Sequence, residues 1–187
     1  SLLEQIPGMV LINRTLPGFE TRCVALDDRY GAWLATRHLI QQGHKRIAII
    51  CYNHQIYDSI YRLQGYLDAL KEFDIAVDDR LISYGTPDEI GGEQAMTDLL
   101  GRGRHFTAVT CYNDSMAAGA LSVLSDNSIE VPLEISLIGF DDVLISRYLR
   151  PRLTTIRYPV VAMATQAAEL ALALANHTPL PEITNMF

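Results

Sequence analysis

The stretch Ile135-Ser-Leu-Ile-Gly-Phe-Asp-Asp142 organises the chain. Its apolar part is typical of a buried strand, because a parallel strand covered by helices on both faces carries a nearly continuous apolar run. Two carboxylates follow where that strand ends, and ligands of open α/β sheets bind beyond the carboxyl ends of the strands. Gly139 permits a close approach of the backbone. We therefore expect Asp141 to bind ligand hydroxyls, since an ionised carboxylate has two acceptor oxygens.

A second interpretation of the two carboxylates needs no ligand. In it, Asp142 caps the helical turn that follows, and Asp141 binds only backbone amides. The position of the two residues in the sequence does not decide between the interpretations.

The elements before this stretch alternate between strands and helices. Apolar runs predict strands at 47–51, 81–84 and 106–111, and helical spacing of apolar residues predicts helices at 30–42, 59–73, 93–100 and 115–125. This alternation predicts an α/β fold in which helices flank a parallel sheet. Residues 153–158 form the predicted crossover between two lobes, and a long helix is expected at 159–175.

The composition limits the classes of function. The chain has 187 residues, of which 49% are hydrophobic, and this is ample for a core. No apolar run approaches the ~20 residues that a membrane span needs. The net charge is −7 and no Lys/Arg-rich stripe is present, so we do not expect the chain to bind DNA by itself.

The cysteines and the absent motifs argue against a metal centre and an enzyme. Cys23, Cys51 and Cys111 are odd in number and lie in or beside apolar runs, which predicts buried reduced thiols in a cytosolic protein. Their spacing fits no metal site. The sequence has no nucleophile elbow, P-loop or zinc-protease motif. We therefore predict a protein without catalytic activity, metal or cofactor.

Polar side chains at predicted strand ends suggest a ligand site. Asn13, Asn113 and Asp141 each follow an apolar run, and Arg62 lies one turn into a helix. Asn supplies donors and acceptors, Asp supplies acceptors, and the planar fork of Arg donates to two oxygens at once. This mixture suits a polyhydroxylated ligand such as a sugar.

Two of these residues also have a simpler interpretation. Arg62 would form a surface salt bridge to Asp58 or Asp68, which is the commoner role of a helix arginine. Asn113 would only cap the helix that follows it.

The order and spacing of several motifs make a family resemblance specific. The chain resembles the effector-binding core of the lactose-repressor (LacI/GalR) family of bacterial transcription regulators. The matching stretches are Gly43-His-Lys-Arg-Ile47, Arg62-Leu-Gln-Gly65, 112–119, Val131-Pro132, 135–142 and 151–155. A closer similarity to the galactose-operon branch of the family is carried by 9–14, Pro17-Gly18, 26–28 and 154–159.

The resemblance implies a periplasmic-binding-protein-like core with a sugar, D-galactose, bound between two lobes. It places the effector contacts at Asn13, Arg62, Asn113 and Asp141. It further implies a cytoplasmic homodimer with Tyr148 near the subunit contact. Operator DNA would be bound only through a helix-turn-helix headpiece that is absent from this chain, and the effector would change the affinity for the operator.

The resemblance also assigns residues to the two lobes. It places 1–23 and 156–178 in the amino-terminal lobe, and 24–155 with 179–187 in the carboxy-terminal lobe. The amino-terminal lobe would be incomplete in this chain, so we expect apolar surface to be exposed where the remainder packs.

Two other functions compete with this one. A periplasmic sugar-binding transport protein would have the same architecture, although three unpaired cysteines argue against it. A Mg²⁺-dependent phospho-receiver or phosphatase would use Asp141 and Asp142 as metal ligands. Against that alternative, no lysine follows at a later strand end. The D-x-D spacing also fails, because the position of its second aspartate is occupied by Val143.

Overall fold

The computed structural model describes residues 6, 8–54, 56–180 and 185–187. Within these ranges the strands are β1 (Leu11–Ile12), β2 (Cys23–Ala25), β3 (Ile47–Tyr52), β4 (Ile82–Gly85), β5 (Ala108–Cys111), β6 (Ser136–Asp141), β7 (Thr154–Arg157) and β8 (Asn185–Met186). The α-helices are α1 (Asp28–Gln41), α2 (Tyr57–Glu72), α3 (Glu89–Gly101), α4 (Asp114–Asp126), α5 (Ile145–Tyr148) and α6 (Val160–Ala175).

The chain divides into two compact units whose limits differ from the predicted lobes. One unit comprises 1–27 and 158–187, and the other comprises 28–157. The resemblance predicts that 24–155 and 179–187 belong to the carboxy-terminal lobe. In the structure, β8 pairs in parallel with β2, and this backbone pairing accompanies the placement of 24–27 and 185–187 in the first compact unit.

Some of the predicted lobe residues lie outside the described ranges, namely 1–5, 7, 55 and 181–184. The correspondence of the two units to the two lobes of the family stays a prediction.

The first unit contains a three-stranded parallel sheet in the order β1-β2-β8. Helix α6 packs on β1 and β2. Its buried side chains are Met163, Ala167 and Leu170, which recur every three or four residues and so form one apolar face.

The second unit is built on a five-stranded sheet in the order β4-β3-β5-β6-β7, with every neighbouring pair parallel. The predicted α/β fold with helices flanking a parallel sheet is confirmed. The strand order reverses between β3 and β5. In doubly wound sheets such a reversal opens a crevice at the carboxyl ends of the strands, where ligands bind.

Strand β3 shows how one apolar run serves two cores. Ile47, Ile49 and Cys51 pack with α1 and α2 in one cluster. Ala48 and Ile50 pack with α3 and α4 in the other. Successive side chains of a strand point to opposite faces, so a strand covered on both faces must be apolar throughout.

Helix α3 begins four residues before its predicted start at residue 93. Asp88 caps it by accepting a hydrogen bond from the Gly91 amide at 2.7 Å. The helix then continues through Gly91 and Gly92, which have low helix propensity. Close packing on α4 explains the second glycine, because a Cβ at Gly92 would lie 2.1 Å from the carbonyl oxygen of Met116.

The state of the cysteines and the apolarity of the helices agree with the expectations drawn from the sequence. Cys23, Cys51 and Cys111 are buried and free, as predicted. No helix in the described part of the chain combines the length and apolarity needed to cross a bilayer.

We predict that Gly92→Ala lowers the free energy of unfolding by about 2 kcal/mol or more, because the added methyl group meets backbone atoms that cannot rotate away. The matched control is Gly101→Ala in the same helix, where a Cβ would meet nothing within 4 Å. That change should alter stability by no more than about 1 kcal/mol, in the stabilising direction. Urea denaturation measures both variants, and equal effects would refute the proposed packing constraint.

Candidate functional site

Arg62 is buried in the second unit, although it is a charged residue on a helix. The buried face of α2 consists of Ser59, Arg62, Gly65, Tyr66, Ala69 and Leu70. The helical spacing of the apolar residues Ile60, Leu63, Leu67 and Leu70 predicts a buried face that begins at Ile60, but Ile60 is 49% exposed. The observed buried face is displaced by one position along most of its length, and it includes an arginine that is only 5% exposed.

The guanidinium of Arg62 has partners on three sides. Its Nε donates to Oδ1 of Asp28 at 2.8 Å, and its Nη1 donates to the carbonyl oxygen of Tyr112 at 2.5 Å. The guanidinium carbon lies 3.8 Å from the ring centroid of Phe140 and 4.6 Å from that of Tyr112. Gly31 of α1 leaves room for Phe140, because a Cβ there would lie 2.8 Å from the ring. These contacts compensate for removing the charge from water.

The simpler interpretation of Arg62, as a surface salt bridge, is wrong. Asp68 binds Arg29 on the neighbouring helix. Asp58 accepts a hydrogen bond from the hydroxyl of Tyr112 at 2.9 Å. The ion-pair partner of Arg62 is Asp28, which is 1% exposed and begins α1.

The structure brings Asp141 to Arg62, as the ligand-site interpretation requires. Oδ1 of Asp141 lies 3.6 Å from Nη2 of Arg62, which is longer than a hydrogen bond. The Asp141 side chain is 28% exposed. A donor and an acceptor thus approach each other at the carboxyl end of β6, and the acceptor is open to solvent.

The surroundings of Asp141 disfavour its negative charge. Burial raises the pKa of Asp141 to about 6, the Arg62 guanidinium opposes the shift, and the carboxylates of Asp114, Asp28 and Asp58 add to it. One arginine therefore sits among four carboxyl groups.

Asp142 has a different partner from Asp141. Its Oδ2 binds Nε of Arg157 at 2.8 Å. The alternative role of Asp142 as a helix cap is not observed, because α5 has no side-chain cap hydrogen bond and Oδ1 of Asp142 accepts only a long contact, 3.5 Å, from the Ser146 hydroxyl. Among the described residues, no group of three or more His, Cys, Asp or Glu is placed to hold a metal ion.

Asn113 caps α4, and this part of its simpler interpretation is confirmed, whereas its role as a ligand contact stays a prediction. Its Oδ1 accepts from the Met116 amide at 2.8 Å, and its Nδ2 donates to the carbonyl oxygen of Pro87 at 3.0 Å. These two bonds leave part of the hydrogen-bonding capacity of the side-chain amide available to a ligand, because the NH₂ group has a second hydrogen and the oxygen has a second lone pair. Asn113 follows Tyr112, so it lies at the same edge of the sheet as Arg62.

Asn13 belongs to the first unit. It follows β1 with φ +60°, and its backbone N–H donates to the carbonyl oxygen of Val24 at 2.7 Å. Its Oδ1 is buried without a hydrogen-bond partner in the described ranges. Buried polar atoms are usually paired, so this oxygen suits a ligand donor. The participation of Asn13 in a ligand site stays a prediction.

Sequence reasoning missed Asp28, Tyr112 and Phe140 as parts of the site. Asp28 precedes the predicted helix at 30–42 by two positions, where a helix cap is the common interpretation, and Tyr112 and Phe140 directly precede Asn113 and Asp141. Their position beside strand-end polar residues was the available signal.

Tyr148, the expected dimer contact, lies at the end of α5 and is 70% exposed, and its role stays a prediction.

Comparison with known proteins identifies the family. The model of the periplasmic binding protein-like domain matches residues 36–186. The chain is 76% identical over all 187 residues to the HTH-type transcriptional regulator GalR of Escherichia coli (strain K12), and it covers 54% of that protein. The chain belongs to the LacI/GalR family. It spans about half the length of the curated relatives it matches.

Solved structures of transcriptional regulators have the same fold. A sugar-binding LacI-family regulator from Escherichia coli, complexed with phosphate, matches with a TM-score of 0.93 and 30% identity, covering all of this chain and 67% of the other. The complex of the regulator CelR with cellobiose matches with a TM-score of 0.87 and 31% identity, covering 95% of this chain and 55% of the other.

We predict that Asp141→Asn makes the stability of the chain less dependent on pH. The folded-state pKa of Asp141, about 6, exceeds the unfolded value of about 3.9, so its stabilising contribution is complete below the unfolded pKa and is lost as the pH rises through 6. At pH 7.5 the uncharged variant should therefore be more stable than the parent by about 1–3 kcal/mol.

Urea denaturation between pH 4.5 and 7.5 measures this difference, which should shrink as the pH falls. Asp126→Asn, at an exposed position of α4, is the control for replacing a carboxylate with an amide. Parallel stability curves for Asp141→Asn and the parent would contradict the raised pKa of the buried Asp141 carboxyl.

Proposed function

We propose that this chain is the effector-sensing part of a bacterial transcriptional repressor. It binds a neutral monosaccharide, D-galactose, at the carboxyl edge of the second unit's sheet, and binding changes the affinity of the whole regulator for operator DNA. Arg62, Asp141 and Asn113 contact the sugar, and Asn13 is proposed as a further sugar-binding residue.

The observation that carries the proposal is the separation of 3.6 Å between Nη2 of Arg62 and Oδ1 of Asp141. A sugar hydroxyl can accept a hydrogen bond from the guanidinium and donate its own hydrogen to the carboxylate. Both bonds are charge-assisted, and such bonds are about twice as strong as neutral ones. The guanidinium is already fixed by Asp28 and Tyr112, so binding loses little side-chain entropy.

The charge balance supports a neutral ligand. Burial is the main cause of the raised pKa of Asp141, and the Arg62 guanidinium opposes it. That guanidinium already pairs with Asp28. A phosphorylated sugar would bring further negative charge to Asp141 and Asp28, whereas a neutral sugar supplies only hydroxyl groups.

Galactose is proposed because of sequence similarity. The chain resembles the galactose-operon branch of the family in four stretches, and it is 76% identical to GalR. Relatives described as sugar-binding or solved with cellobiose support the wider class of ligand.

The effector acts through differential binding. It shifts operator affinity only to the extent that it binds one conformation of the regulator more tightly than the other. Couplings of this kind are typically ~1–3 kcal/mol.

We predict that isothermal titration detects binding of D-galactose and that D-galactose 6-phosphate binds at least about tenfold more weakly, since like charges in a partly buried site cost more than ~1.4 kcal/mol. D-glucose, the C4 epimer, serves as the matched neutral control. Binding of the phosphate ester as tightly as D-galactose, or of no monosaccharide at all, would contradict the proposal.

We also predict that D-galactose affinity falls as the pH is lowered from 7.5 to 5. Protonation of Asp141 near pH 6 replaces an acceptor-only carboxylate with a group that must donate one hydrogen. In Asp141→Asn the affinity should be low and nearly constant over this range. Titrations at four pH values test this, and an equal pH dependence in the parent and the variant would remove Asp141 from the site.

A further inference from the structure

We propose that Asp114 is a positioning residue that holds Asp141 in its ligand-facing conformation. The inference rests on the proposed function, because it concerns the same sugar site. Asp114 is fully buried, so it cannot touch a ligand bound at the carboxyl edge of the sheet. Any effect of Asp114 on binding must therefore pass through its neighbours.

Asp114 binds the chain immediately after Asp141. Its Oδ2 accepts a hydrogen bond from the Val143 amide at 2.9 Å, and its Oδ1 accepts one from the Thr155 hydroxyl at 2.6 Å. The Thr155 oxygen in turn accepts from the Asp142 amide at 3.3 Å. Two successive amides of the turn are thereby bound to one buried carboxylate, one directly and one through Thr155.

The turn needs such support because its backbone is strained. Asp141 has φ +110° and Asp142 has φ +56°, values that residues with a side chain rarely adopt. Residues in such conformations persist only where the surrounding structure determines them. Releasing the two amides allows the turn to relax, and the Asp141 side chain then moves away from Arg62.

Strand β6 is adapted to the approach of Asp114. A Cβ at Gly139 would lie 2.2 Å from Oδ1 of Asp114 and 2.8 Å from the Leu153 side chain. Only glycine at this position lets the carboxylate of α4 reach across β6 to Thr155 on β7. The arrangement therefore links α4, β6 and β7 at the point where the ligand-facing turn begins.

An ionised carboxylate suits this role better than an amide. Burial raises the pKa of Asp114, whereas the hydrogen bonds from Thr155 and Val143 oppose that shift. Both of these bonds need an acceptor, and a carboxylate supplies acceptors on both oxygens. An asparagine would place an NH₂ group against one of the two donors.

A double-mutant cycle on D-galactose affinity separates positioning from a general structural effect. We expect Asp114→Asn alone to weaken binding about 10- to 100-fold, because the charge-assisted partner of the turn is lost. In an Asp141→Asn background, the same change should alter affinity less than about twofold, since the group being positioned is already absent. An undiminished effect in that background would overturn the proposal.

Thr155 provides a second test if Asp114→Asn fails to fold. Thr155→Val removes the hydroxyl while keeping the shape, and it should weaken D-galactose binding about tenfold, whereas Thr155→Ser should restore most of the affinity. Thr97→Val is the matched control, because the Thr97 hydroxyl bonds only to the Glu93 carbonyl on α3. Equal affinities of Thr155→Val and Thr97→Val would overturn the proposal.

A sugar-free measurement distinguishes this proposal from the proposed function. Three-bond NMR couplings report the χ1 rotamer of Asp141 in the full chain without ligand. We expect one rotamer in the parent and rotamer averaging in Thr155→Val. If D-galactose does not bind but averaging appears, the proposed function fails and the positioning role stands. A single unchanged rotamer in Thr155→Val overturns the positioning role.

Discussion

The second unit depends on one buried cation. Placing the Arg62 guanidinium out of water costs several kcal/mol unless its hydrogens and charge find partners. Asp28 at the start of α1, the Tyr112 carbonyl after β5 and the ring of Phe140 on β6 supply them. A single side chain from α2 thus fixes a helix and two strand ends relative to one another. Buried ion pairs contribute little to stability compared with apolar packing, so this arrangement is better explained by the donor that it holds in place.

The same arrangement places one guanidinium between two carboxyl groups, those of Asp28 and Asp141. Arg62 pairs with Oδ1 of Asp28, and its Nη2 group faces Asp141 without reaching hydrogen-bond distance. Asp58 is held by Tyr112, whose ring also covers the guanidinium. The result is a fixed donor beside a carboxylate with a raised pKa, at the strand-order reversal between β3 and β5. A preorganised site of this kind spends little binding free energy on ordering its own side chains.

Much of this arrangement could be predicted from sequence because apolar runs and helical spacing are local signals. The strands that follow Arg46 and Thr107 were recognised, and so was the helix that carries Arg62. The start of α3 was missed because Gly91 and Gly92 have low helix propensity, and packing on α4 overrides that preference.

Features that depend on distant partners could not be predicted. The pairing of β8 with β2 joins segments about 160 residues apart, and a two-residue strand carries no periodic signal. The burial of Arg62 was missed for a similar reason, since its partners Asp28 and Tyr112 are remote in sequence. Helical spacing identifies an apolar stripe, but it cannot recognise a charged residue that is buried because another charge meets it.

The most direct test of the account is a crystal structure of the chain with D-galactose. The account predicts one sugar hydroxyl bound to both Nη2 of Arg62 and a carboxylate oxygen of Asp141, with the Arg62–Asp28 ion pair unchanged. A sugar bound elsewhere, with Arg62 and Asp141 joined by a direct hydrogen bond, would contradict it.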